Sequence, residues 1–134
     1  MRTVAEKGNL AGMVKTLFVV TATVTLVGCS AAFWPLFESQ RESMLASGLR
    51  QYEDGNYRES ARLLRGALDA GLDDAERVTA YKHLAFINCA EGHERQCREH
   101  FIRALTLNPR LELAPAEAGH PVWGPVFRAV KAGN

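Results

Sequence analysis

From residue 49 onward, apolar side chains recur every three or four positions: Leu49, Tyr52, Ala61, Leu64, Ala67 and Leu68. That spacing puts them on one face of a 3.6-residue helix, with charged residues between them. Gly55 and Gly92 interrupt the pattern where a helix can end on a left-handed residue. Asp73 or Asp74 can cap the helix that follows the AGLDDAE link. The pattern therefore predicts helices near 39–54, 57–70, 74–90 and 94–107, with a further short one near 122–131. This is an all-α chain.

The middle of the chain repeats itself. GLRQYEDGNYRESARLLRGALDAGL (48–72) aligns with AFINCAEGHERQCREHFIRALTLNP (85–109) at a constant offset of 37. Gly48 falls on Ala85, Gly55 on Gly92, Ser60 on Cys97, Leu64 on Phe101, Ala67 on Ala104 and Leu68 on Leu105. A period of this size indicates stacked helical hairpins. The pattern of small residues, turn glycine and closing Pro109 resembles the tetratricopeptide repeat (TPR). The first copy lacks the closing proline, and the AGLDDAE link lengthens the period beyond the usual 34 or so residues. The resemblance implies about two TPR-like hairpins over 39–109, followed by a Pro-rich segment and a C-terminal capping helix over 110–134.

The N-terminal region is of a different kind. Arg2, Lys7 and Lys15 precede TLFVVTATVTLVGCSAAFWPLF (16–37), which has no charged residue. A basic region followed by an apolar one has the form of a secretory signal peptide. Twenty-two uncharged residues could also span a bilayer, but the stretch is rich in Thr and Val and contains Pro35. Its end, Leu26-Val27-Gly28-Cys29, resembles the lipobox of bacterial lipoproteins. That resemblance implies a signal peptide over 1–28, acylation of Cys29 as the new N-terminus, and a linker over 29–38. With Ser30, not aspartate, after the cysteine, it implies attachment to the outer membrane facing the periplasm, with inner-membrane anchoring as the lesser alternative.

In an oxidising compartment the two remaining cysteines, Cys89 and Cys97, form an even pair expected to be a disulfide. Two free buried thiols are the alternative, as is a metal or redox site with His93 and His100. Zinc sites favour tighter spacing such as C-x₂₋₄-C, and redox pairs favour C-x-x-C. No cofactor and no metal is expected. On the helical framework Cys89 ends one helix and Cys97 opens its antiparallel partner, so a bridge would close the mouth of that hairpin.

Charge narrows the range of partners. The chain carries +1 overall and its leader +2, which leaves −1 for residues 29–134. A near-neutral domain is a poor match for nucleic acid. There is no glycine-rich phosphate loop and no nucleophile elbow, so neither an enzyme nor a binder of small-molecule substrates is expected. Repeat hairpins build surfaces that hold proteins or peptides. Leu45, Leu49, Tyr52 and Phe86 fall on the inner side of the first helix of each pair, where an apolar groove needs either a partner or an internal cover. Trp123 and Phe127 are expected to supply part of that cover, or else to be docking residues themselves. Taken with KHLAFINC and QCREHFIRAL, the phrase PAEAGHPVWGPVF (115–127) resembles small TPR lipoproteins associated with type VI secretion systems, in which a similar cysteine pair and a W-G-P-V-F end occur. That resemblance implies an accessory adaptor binding a protein of the cell envelope. A pilotin-like or outer-membrane assembly scaffold is the alternative within the same class, and a metal- or redox-responsive sensor the alternative outside it.

Overall fold

Six helices follow one another in the computed structural model, which describes residues 34–133, with side chains from residue 39 onward. They are α1 (Trp34–Glu53), α2 (Tyr57–Asp69), α3 (Asp74–Ala90), α4 (Glu94–Leu107), α5 (Pro115–Ala118) and α6 (Trp123–Ala132). Among the described residues there is no strand, and the chain is all-α. It divides at Leu36 into two units, and the helical stack belongs to the second, Phe37–Asn134. Residues 1–28, and Cys29 with them, lie outside the described residues.

The turns that close the two helix pairs are built alike. Gly55 and Gly92 take φ of +77° and +78°, a region open to glycine at little cost. At the first turn Asn56 N–H donates to the Gln51 carbonyl and Gly55 N–H to the Tyr52 carbonyl. At the second, His93 N–H donates to Asn88 and Gly92 N–H to Cys89. Each bond in one turn is thus repeated 37 positions later. Such bonds satisfy carbonyls that a helix end otherwise leaves open. The start of α3 is fixed differently. Asp73 accepts from the Glu76 N–H at 2.9 Å, and Glu76 accepts in return from the Asp73 N–H at 3.1 Å. This reciprocal cap satisfies two of the donors at the helix start.

Two apolar clusters share α3 between them. Leu84 and Ile87 pack with Leu45, Ala61, Leu64 and Ala67 of the first pair. Ala85, Phe86 and Cys89 pack with Cys97, Phe101 and Leu105 of α4 and with Trp123, Phe127 and Val130 of α6. Residues 84–89 are accordingly all buried, as expected for a helix enclosed on opposite sides.

One boundary differs from the sequence reading. Helix α1 begins at Trp34 instead of 39, so residues 34–38 are helix and not linker. Pro35 does not prevent this, because the first-turn N–H it lacks would have no intrahelical partner. Pro115–Ala118 forms a one-turn helix within the Pro-rich segment. Gly124, although Pro125 follows it, lies in the first turn of α6. Lacking a Cβ, it escapes part of the clash that a following proline imposes. A Cβ built on Gly124 would come within 2.4 Å of the Ala118 carbonyl oxygen. Gly124→Ala is therefore expected to cost about 1–2 kcal/mol in urea denaturation, overpacking outweighing the gain in helix propensity.

Candidate functional site

The cysteines are settled first, because they define one end of the stack. Cys89 and Cys97 are bonded to each other, with their Cα atoms 5.1 Å apart. Both are buried. The bridge joins the last turn of α3 to the first turn of α4. Ser60 occupies the position matching Cys97 in the first pair. Its buried hydroxyl donates to the Gly48 carbonyl at 2.8 Å and ties α2 to α1. One pair is therefore fastened by a hydrogen bond and the other by a covalent bond. His93 is exposed in the turn and His100 stacks on Tyr81, their centroids 5.9 Å apart. Among the described residues, no group of three or more His, Cys, Asp or Glu side chains could hold a metal ion.

The proposed partner-binding residues separate into two groups. Leu45, Phe86, Trp123 and Phe127 are buried within the chain. Phe86 stacks on Trp123 with centroids 4.7 Å apart, and Phe101 meets Phe127 edge-on at 5.2 Å. Trp123 and Phe127 thus lie in an internal cover, α6 filling the space beside α3 and α4, and Leu45 is enclosed by the first helix pair and α3. Leu49 and Tyr52 stay half-buried. Tyr52 touches Tyr57 and meets the edge of His83, with centroids at 5.6 and 5.0 Å. The accessible remainder of the face is thus Leu49, Tyr52 and Tyr57, with Lys82 and His83 from α3.

The electrostatics of this face follow from its partial burial. Burial, and then the neighbouring Tyr57 and Glu117, push the Tyr52 hydroxyl up to about 12, so it stays a neutral donor. Burial and the Lys82 charge hold His83 below its ordinary value, outweighing the opposing pull of the Thr79 carbonyl. His83 Nδ1 lies 2.8 Å from that carbonyl and donates to it. The face offers neutral aromatic rings, one ammonium and hydrogen-bond donors.

Residues that local pattern could not reveal close the end of the face. Lys82 Nζ donates to the Glu117 carboxylate at 2.8 Å, and the Ala114 N–H donates to its other oxygen at 2.9 Å. Trp123 Nε1 donates to the Glu117 carbonyl at 2.9 Å. The His120 ring lies flat on Trp123. Burial alone would raise the Glu117 carboxyl, but the Lys82 bond, the Ala114 N–H and the Lys82 and His83 charges outweigh it, so the group titrates below its ordinary value. A folded value below the unfolded one means that ionised Glu117 stabilises the fold above the ordinary carboxylate range. That contribution fades as pH falls through the depressed folded value. Glu117→Gln should cost about 1–2 kcal/mol at neutral pH. In urea denaturation the difference from the native chain should shrink on acidification.

No family model, curated protein or solved structure matches the chain. No helix among the described residues is long and apolar enough to cross a membrane.

Proposed function

We propose that this protein is a lipid-anchored TPR adaptor. It faces the periplasm from the outer membrane and binds a protein partner as an accessory component of a type VI secretion system. The observation that carries the adaptor reading is the repetition of two helix pairs at an offset of 37, down to the hydrogen bonds of their turns. Stacked pairs of this kind offer a face for protein binding. Helix α6 serves as the cap that a short stack requires, since a terminal repeat otherwise exposes its apolar side. The reading as lipoprotein rests on Leu26-Val27-Gly28-Cys29, and the secretion assignment on the likeness of residues 80–128 to TPR lipoproteins of those systems. The bond between Cys89 and Cys97 weighs against the metal-responsive alternative, because thiolates and not disulfides bind metals.

The test is affinity capture of the intact lipoprotein from detergent-solubilised envelopes after brief cross-linking, read by mass spectrometry. Type VI membrane-complex or baseplate components are expected to dominate. Dominance of pilus or outer-membrane assembly factors would keep the adaptor and reject the system. The anchor is tested separately. Cys29→Ala should shift the protein out of the membrane fraction or leave its leader uncut, and unchanged membrane attachment would favour a plain transmembrane anchor.

A further inference from the structure

We propose that the groove between α2 and the α3–α4 hairpin is a docking surface for an acidic segment of a partner protein. The proposal rests on the adaptor reading and names a surface and a chemistry for it. The groove lies between the two helix pairs, away from the aromatic face of Tyr52 and His83, and encloses about 510 Å³. Arg58 and Arg65 line it from α2, Asn88 and Glu91 from the end of α3, and Gln96 and His100 from α4.

The arginines carry the argument. On the same helices Arg62 pairs with Glu59, Arg77 with Asp74, Arg95 with Glu99 and Arg98 with Glu94, while Arg103 lies over the Tyr81 ring. The two that line the groove, Arg58 and Arg65, form no ion pair among the described residues. They stand seven positions apart on one face of α2, so their stems are separated by about 10 Å along the axis. That is about the rise of one three-residue turn of polyproline II chain, in which residues three apart share a face. Two guanidinium groups at this spacing can each take a carboxylate in the two-pronged geometry that favours arginine.

The rest of the groove suits the same occupant. His100 Nδ1 is buried without a hydrogen-bond partner. Burial, followed by the Arg103 and Arg65 charges, holds the His100 ring below its ordinary value against the pull of Glu99. Arg65 thus brings positive charge to this end of the groove, against which Glu99 acts. Asn88 spends an amide N–H on the Leu84 carbonyl at 2.6 Å, and its oxygen can accept a backbone N–H from the segment. Ala61 and Ile87 add apolar surface. Glu91, 3.5 Å from His93 Nδ1, disfavours a multiply charged phosphate. Two arginines on a chain whose residues 29–134 sum to −1 make no extended field for nucleic acid or an anionic membrane.

The test uses the full-length lipidated protein in detergent micelles and fluorescence anisotropy. The probe is a short labelled peptide with glutamates three positions apart, and the control is the same peptide with glutamines. The glutamate peptide should bind, weaken with added salt, and lose about tenfold in affinity in the Arg58→Gln/Arg65→Gln variant. Arg62→Gln, which breaks only the pair with Glu59, should leave affinity unchanged. Equal binding of the two peptides, or equal loss in Arg62→Gln, would overturn the proposal. So would preferential displacement of the probe by inorganic phosphate or by phosphatidylglycerol vesicles. The adaptor reading fails independently: if the native protein captures no envelope protein while the glutamate peptide still binds through Arg58 and Arg65, that reading falls and the groove remains. If capture is intact in the double variant and the peptide does not bind, the groove falls and the adaptor remains.

Discussion

Phe86→Ala is expected to lower the unfolding free energy by about 3–5 kcal/mol, the range for truncating a core aromatic ring. The ring is 1% exposed and touches three elements. It stacks on Trp123 of α6 and meets Phe101 of α4 edge-on, with centroids 5.9 Å apart. It also approaches Tyr52 of α1 at 6.3 Å. Truncation removes the ring's transfer energy and leaves a cavity between helices that cannot close together, because α3 is also packed on its opposite side. The aromatic contacts add about 0.5–1.5 kcal/mol beyond burial. Urea denaturation should show a lower midpoint with an unchanged slope, as for loss of stability without loss of two-state behaviour. A cost below about 1 kcal/mol, the range of ordinary substitutions, would mean that α6 does not cover Phe86. Phe86, Trp123 and Phe127 would then return as open docking residues.

The second large effect is expected from the cysteine pair. The Cys89→Ala/Cys97→Ala variant should lose about 2–3 kcal/mol relative to the oxidised protein, the stabilisation expected from closing so short a loop in the unfolded chain. Reductant should destabilise the native protein by a similar amount and leave the variant unaffected. A loss that persists when both proteins are reduced would belong to packing, since both sulfurs lie in the core with Phe86 and Phe101. Ser60→Ala, at the matching position of the first pair, should cost only about 1 kcal/mol, because it removes one neutral hydrogen bond. The two pairs would thus share a backbone plan and differ in how firmly each is fastened.

The legible part of this fold is the part written in short-range chemistry. Gly55 and Gly92 marked both turns, because a left-handed residue is a local demand that glycine meets. Asp73 or Asp74 marked the start of α3 for the same reason, and the cap is Asp73, whose partner Glu76 is three residues away. The cysteines could be placed across a hairpin mouth once a helix was expected to end near Cys89 and another to begin near Cys97. The prolines of the tail are compatible with helix because their effect depends on position within it. Pro125 in the first turn of α6 removes no bond, whereas the same residue a turn later would have broken the helix.

What covers an apolar face is not a local property. Periodicity put Phe86 on such a face and Trp123 and Phe127 on another, but nothing in a window of either segment says that the two faces meet. The Lys82–Glu117 bond spans 35 positions. The groove sets Arg58 and Arg65 against side chains of a different helix pair. By itself, therefore, the sequence determined an all-α chain, its turns and the proximity of Cys89 to Cys97, because helical period, glycine stereochemistry and capping act within a few residues. Only the tertiary structure decided which apolar residues are core and which arginines are left unpaired, because burial and charge pairing depend on what chain folding brings alongside.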